Sequence, residues 1–251
     1  MIDIGKLYCG GKSTGDSLRY GTEAGPDCHG NRPHDPVRLA SERRPIVVWS
    51  TTRTCNLNCV HCYTDSTNMK YDGELSTAEG RSLINDLAAF GIPSLLFSGG
   101  EPLLRKDIFT LIEYAANKNI RPVISTNGTL IDRQAAQNIK DAGVVYVGIS
   151  LDGMEDINDK FRGVQGAFTR AMKGFENCTA AGQRVGLRLT LTRRNYEDLD
   201  RIFDFIEKEG INRACFYHLV YSGRGSDMYK DDLTHRQSRT AIDTIINRTE
   251  D

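Results

Sequence analysis

From residue 45 onward, short apolar runs alternate with longer stretches of helical period. The run at 45–52 (PIVVWSTT) is β-branched and aromatic and reads as a strand. After it, Leu83, Ile84, Leu87, Ala88 and Phe90 recur at helical spacing. A Ser76–Glu79 capping box opens that helix and Gly91 closes it. The same unit recurs, with strands predicted at 94–99, 121–126, 144–152, 184–191 and 212–220. Helices are predicted at 107–119, 132–142, 166–181, 196–209 and 234–246. Strands alternating with helices give a parallel α/β sheet through right-handed crossovers. Six such units form either an open doubly wound sheet or a barrel that is not fully closed. Residues 1–44 are polar and broken by Gly and Pro, and read as an N-terminal extension to a core at 45–251.

The polar residues collect at the carboxyl ends of the strands, where parallel α/β folds place their chemistry. A cysteine run follows strand one, Ser98-Gly99-Gly100-Glu101-Pro102 ends strand two and Ser125-Thr126-Asn127-Gly128 ends strand three. Strand four ends in Ser150-Leu151-Asp152-Gly153, strand five carries Arg188 and Thr190, and strand six ends in Tyr217-His218-Leu219. Six polar or glycine-rich strand ends on one face suggest one shared site.

Composition narrows the classes. The 251 residues are 39% hydrophobic and 26% charged, enough apolar material for a core. Lys+Arg 32 against Asp+Glu 33 leaves a formal net charge of −1, which argues against nucleic-acid binding through a broad basic field. No apolar run approaches the ~18 residues of a membrane span. The first residues lack the basic-then-apolar order of a secretory signal, so a cytoplasmic location is expected. The cysteine count is seven, an odd number that cannot all pair within one chain and that points to a reducing compartment.

Three of the seven cluster as Cys55-x-x-x-Cys59-x-x-Cys62. A tetrahedral zinc site wants four protein ligands, and the fourth could come from His61 or a distant cysteine. Three thiolates without an evident fourth suit a [4Fe–4S] cluster with one iron left open. Ordinary loop cysteines are the remaining alternative. Cys178 and Cys215, one in a helix and one in a strand, read as buried apolar thiols, and Cys9 and Cys28 are unassigned.

The motif, placed after a first strand and followed by Gly-Gly-Glu-Pro, resembles the signature of the radical S-adenosylmethionine (SAM) enzymes. The resemblance runs from about Pro45 to Gly225. It implies a partial (βα)6 barrel in which Cys55, Cys59 and Cys62 hold a [4Fe–4S] cluster. It implies that Gly99, Gly100, Glu101 and Pro102 receive the methionine ammonium of SAM, and that Ser125 and Asn127 meet the ribose. The plainer alternatives are a tight turn for the first set and a self-stabilising Ser-Thr-Asn-Gly turn for the second. Ser150 is implied near the methionine carboxylate, Asp152 near SAM or substrate, and Leu219 at the adenine edge. Arg188 could pair with a SAM carboxylate or sit in a buried salt bridge, and Arg162 could do the same job from a loop. One electron would cleave SAM, and a 5′-deoxyadenosyl radical would abstract hydrogen from substrate.

Within that family the segments IDIGKLYCGGKSTG, PIVVWSTTRTCNLNCVHCY and ISTNGTLID look like the enzymes of alternative haem and haem d1 biosynthesis. These act on didecarboxysirohaem, an iron tetrapyrrole rich in carboxylates. His29, His34 and the Arg43–Arg44 pair are candidates for those carboxylates, with a solvated surface as the plainer alternative. A peptide-maturation enzyme of the same branch and a non-catalytic zinc module remain as other readings. The resemblance also implies an electron donor such as flavodoxin or ferredoxin. Relatives of this kind continue into a cysteine-rich region with an auxiliary cluster. The chain stops at Asp251 after a predicted helix, so either a second iron–sulfur cluster is lacking or the sequence is part of a longer one.

Overall fold

The computed structural model describes residues 44–250. Six strands form one sheet: β1 (Val47–Thr52), β2 (Ser94–Gly99), β3 (Arg121–Thr126), β4 (Tyr146–Ser150), β5 (Val185–Leu191) and β6 (Ala214–His218). Every neighbouring pair is parallel. The spatial order is β1 through β6 in sequence order, so the order never reverses as a doubly wound sheet requires. The sheet is therefore the partial barrel of the two arrangements expected, with β1 and β6 at its edges.

The helices are α1 (Thr77–Phe90), α2 (Ile108–Asn117), α3 (Arg133–Asp141), α4 (Glu155–Arg162), α5 (Ala167–Ala180), α6 (Leu199–Lys208) and α7 (His235–Glu250). Ser76 accepts from the Glu79 N–H while Glu79 reaches back to the Ser76 backbone, and Gly91 adopts the left-handed conformation that ends α1. Four elements were not predicted. The SLDG segment leads into α4, a helix of only eight residues. Short 3-10 turns cover Pro102–Leu104 and Gly223–Asp231. A further short turn, Tyr196–Asp198, precedes α6 where one continuous helix was expected. Strands β4 and β6 are shorter than their apolar runs, because the flanking residues turn into the connecting loops.

Crossovers in unbroken order bring α1, α2, α3, α5, α6 and α7 to one face of the sheet, whereas α4 adds no residue to the core there. The registers show the result. Trp49 pairs with Phe97, Phe97 with Ile124, Ile124 with Val147, Ile149 with Leu187 and Leu189 with Phe216. These side chains pack with Ile84, Leu111, Ile112, Ile139, Ile202 and Phe203 of the helices in one core. The alternate positions face the other way. There Ser50 pairs with Ser98, Ser125 with Gly148, Ser150 with Arg188 and Thr190 with Tyr217. One face of the sheet is thus apolar and filled, while the helix-free face is polar toward the carboxyl ends of the strands and apolar at Val48, Leu96 and Val123. Cys178 belongs to the core as expected, but Cys215 lies in register with Arg188 on the polar face and is only half-buried.

Candidate functional site

The loop after β1 carries the three cysteines, all as free thiols. Cys55 is buried with Leu57 against Ala167 at the start of α5, and Cys59 and Cys62 are half-buried. Each sulfur has a donor. The Leu57 N–H points to Cys55 Sγ at 3.4 Å and the Asn127 side-chain amide lies 3.9 Å from it. Arg162 Nη1 reaches Cys59 Sγ at 3.7 Å. Cys62 Sγ takes the Ser66 N–H at 3.4 Å and lies 3.3 Å from Thr64 Oγ1. Donors at all three sulfurs fit thiolates, and hence the thiolate-held cluster that the motif implies.

Burial opposes ionisation at two of the thiols. It pushes Cys55 up to about 11, and it pushes Cys59 up although Arg162 beside it pulls the other way. At Cys62 burial also raises the value. The Thr64 hydroxyl, the Ser66 N–H and nearby Arg224 outweigh it, so this thiol falls below its ordinary range. Among the described residues, no three His, Cys, Asp or Glu side chains close tightly enough to chelate a single ion. A cluster brings its own irons and sulfides and asks only for surrounding thiolates. His61, one candidate fourth zinc ligand, turns away from this role. Its Nε2 lies 3.3 Å from Asp152 Oδ2, and its ring meets Phe161 edge-on at 5.3 Å.

The Gly99-Gly100 pair lies against protein backbone. A Cβ on Gly99 would stand 2.2 Å from the Thr52 carbonyl oxygen, and one on Gly100 2.4 Å from that of Thr54. Gly100 N–H donates to Thr52 O and Glu101 N–H to Thr54 O. The close approach that these glycines permit is made here by the chain itself, and it clamps the end of β2 to the segment entering Cys55. Pro102 is buried and opens the 3-10 turn.

Glu101 is wholly buried. Its carboxylate accepts from Thr126 Oγ1 at 2.8 Å, the Asn127 N–H at 2.8 Å and the Leu103 N–H at 3.1 Å. Burial raises its carboxyl to about 7 in spite of those donors. A carboxylate offers about four acceptor positions, so three donors leave one for an ammonium group.

Asn127 is also committed within the protein. Its amide donates to Asn56 at 2.9 Å, and its oxygen accepts from the Thr129 N–H and hydroxyl. The self-stabilising turn therefore forms here, and it also ties β3 to the cysteine loop. Ser125 Oγ accepts a short hydrogen bond from Arg188 Nη1. The Arg188 guanidinium lies 5.5 Å from the Tyr217 ring centre, and Gly148 leaves room for its stem. No ion pair joins Arg188 to a carboxylate among the described residues, so the buried salt bridge is not what holds it. Ser150 shares this face in register with Arg188.

Asp152 and Arg162 meet each other within the protein. Asp152 is 1% exposed, because its Oδ2 lies 2.5 Å from Arg162 Nη2 and its Oδ1 takes the Thr190 N–H at 2.9 Å. Arg162 is the last residue of α4, not a loop residue, and it serves Asp152 and Cys59. Leu219 is buried just past β6. Arg44 is exposed and lies over the Phe90 ring, whereas Cys9, Cys28, His29, His34 and Arg43 lie outside the described residues.

Sequence reasoning missed Arg224. Its Nε donates to Cys59 O at 2.8 Å, its N–H to Cys62 O at 2.9 Å, and its Nη1 pairs with Asp65 at 2.8 Å. Gly223 next to it packs on the Cys62 carbonyl, where a Cβ would stand at 2.4 Å. The signal was present as Gly-Arg-Gly, a cation between two residues that permit close backbone approach.

The sequence matches the profile of the Radical SAM superfamily over residues 49–206. It is 51% identical over 249 residues to Fe-coproporphyrin III synthase of Methanosarcina barkeri, covering 99% of this chain and 61% of that protein. It is 41% identical over 214 residues to pre-heme d1 synthase of Dinoroseobacter shibae, covering 85% of this chain and 53% of that one. The chain thus spans between half and two thirds of these relatives. Among solved structures, anSMEcpe with bound AdoMet shares the fold with a TM-score of 0.68 at 21% identity, over 80% of this chain and 59% of that chain. SuiB of Streptococcus suis bound to S-adenosylmethionine gives 0.66 at 19% identity, over 81% and 48%. No helix among the described residues is long and apolar enough to cross a membrane.

Proposed function

Because the chain belongs to the radical SAM superfamily, we propose that it is the SAM-cleaving core of an enzyme that modifies an iron tetrapyrrole. The substrate proposed is 12,18-didecarboxysirohaem, which loses acetate side chains to give Fe-coproporphyrin III. The observation that carries this reading is the 51% identity to Fe-coproporphyrin III synthase across nearly the whole chain. Residues 45–251 are proposed as the SAM-binding core, and the electron is proposed to come from a flavodoxin or ferredoxin.

Cys55, Cys59 and Cys62 would hold the [4Fe–4S] cluster, and the donors at their sulfurs support that assignment. When bound, the cluster and SAM supply a 5′-deoxyadenosyl radical that takes hydrogen from the substrate. The chain's own residues orient and enclose. Glu101 offers its remaining acceptor position to the methionine ammonium, and a cation there would restore the ionised form that burial opposes. Ser125, Ser150 and Arg188 share the helix-free face, where a guanidinium suits a carboxylate of SAM or of the tetrapyrrole. Asn127 acts on this site by fixing Asn56 beside Cys55. Leu219 gives an apolar edge for adenine.

Anaerobic incubation of the reconstituted protein with SAM, a reductant and didecarboxysirohaem tests the substrate. The expected result is 5′-deoxyadenosine above the uncoupled background together with a tetrapyrrole product lighter by its acetate groups. Turnover of a peptide alone would overturn the tetrapyrrole assignment in favour of peptide maturation.

A further inference from the structure

The buried group that the reading above leaves without a task in the chemistry is the guanidinium of Arg162. It ends α4, and its side chain is 9% exposed. Two of its nitrogens point at different partners. Nη1 reaches Cys59 Sγ at 3.7 Å, and Nη2 lies 2.5 Å from Asp152 Oδ2. The backbone locks the same contact, because Asn58 N–H donates to Arg162 O at 3.1 Å and Val60 N–H to Phe161 O at 2.9 Å. Gly163 then presses on the Asn58 carbonyl, where a Cβ would stand at 2.4 Å. The end of α4 and the cysteine loop are therefore tied together, which holds the Arg162 backbone beside the sulfur.

Asp152 is held as firmly. Its Oδ1 takes the Thr190 N–H, its own N–H donates to Asn158 Oδ1 at 3.0 Å, and its carbonyl takes the Asn195 amide at 2.9 Å. A fixed cation thus touches a cluster ligand from one side, and a fixed anion tempers it from the other. Reduction of an iron–sulfur cluster adds one negative charge, and its potential depends on nearby charge and on hydrogen bonds to the sulfurs. With little water between them, both effects act at short range.

We propose that Arg162 is a positioning residue that acts through Cys59 to raise the reduction potential of the cluster, with Asp152 opposing it. This inference rests on the cluster assignment made above. The Arg162–Asp152 pair is then more than a strut between α4 and the loop. It sets how readily the centre accepts the electron that the proposed chemistry needs.

The test is a redox titration of the anaerobically reconstituted protein, followed by electron paramagnetic resonance, on wild type, Arg162→Gln and Asp152→Asn. Iron and sulfide are counted on each sample first. Arg162→Gln is expected to lower the reduced-to-oxidised ratio at fixed poise by about tenfold, a 59 mV more negative midpoint for one electron. Asp152→Asn is expected to move the midpoint the opposite way. A purely structural role would change stability or iron content without opposite shifts in potential. Midpoints that stay put, or that move in the same direction in both variants at wild-type iron content, overturn the proposal. If Arg162→Gln does not fold, Asp152→Asn decides alone. A more positive midpoint supports the proposal, and no shift or a negative one overturns it. A wild-type protein that takes up iron but does not cleave SAM leaves this test intact and sinks only the functional reading. A wild-type protein that takes up no iron removes both.

Discussion

Glu101 Oε2 accepts the backbone N–H of Asn127 at 2.8 Å, so one buried carboxylate joins the end of β2 to the end of β3. The same carboxylate takes the Thr126 hydroxyl and the Leu103 N–H. These contacts order two of the strand ends from which the site is built.

A pH dependence follows from this burial. Folded Glu101 keeps its proton up to about 7, whereas the unfolded chain releases it near 4.5. Between those values the folded state binds more protons, so stability falls as pH rises and levels off above about 7. The span corresponds to about 3 kcal/mol at 1.36 kcal/mol per pH unit. Urea unfolding of the cluster-free protein at pH 5 and pH 8 should show this loss. Glu101→Gln should lack it, and should cost about 1–3 kcal/mol where its amide faces the Asn127 N–H. The same pH slope in both proteins would contradict the assignment.

The three motif thiols should differ in reactivity. Cys62 sits below its ordinary range through the Thr64 and Ser66 hydrogen bonds, while burial holds Cys55 up near 11. Thiolate is the reactive form. Brief iodoacetamide treatment of the cluster-free protein near neutral pH, read by peptide mass spectrometry, should therefore label Cys62 first of the three. Labelling of Cys55 ahead of Cys62 would show that the loop is arranged differently.

The glycine pair should be intolerant for reasons of space. Gly99 combines a φ of +142° with a carbonyl 2.2 Å from where a Cβ would sit. Gly99→Ala should lose roughly 2 kcal/mol or more in thermal unfolding and take up less iron, because the cysteine loop is displaced. Gly73 has a φ of +80° but open space around it, so Gly73→Ala should cost only about 1 kcal/mol and leave iron uptake unchanged. Equal losses at both positions would contradict the clamp.

The fold and the gathering of three cysteines on one loop were legible because each rests on a local signal. Leu83, Ile84 and Leu87 recur at helical spacing in α1, and the Ser76 box caps that helix. Cys55, Cys59 and Cys62 lie within eight positions. The element α4 was not legible. Its sequence EDINDKFR offers only Ile157 and Phe161 as apolar residues, and it is fixed by long-range bonds from Asn58 and Val60. The resemblance implies Asp152 near SAM or substrate, but it gives no sign of its protein partners. Arg162 lies ten residues on and His61 comes from another loop, and neither contact has a sequence period. Arg188 stands out as a cation inside an apolar strand. Its partner Ser125 could emerge only once β3, β4 and β5 were set side by side.

In the proposed site three thiolates hold a cluster whose fourth iron is open to SAM. The direct measurement is the electron paramagnetic resonance spectrum of the reduced, reconstituted protein, with about four irons per chain, before and after SAM is added. A marked change in the spectrum on SAM addition is expected, together with loss of the cluster in Cys59→Ala. A spectrum indifferent to SAM, or a cluster that survives Cys59→Ala, would contradict it.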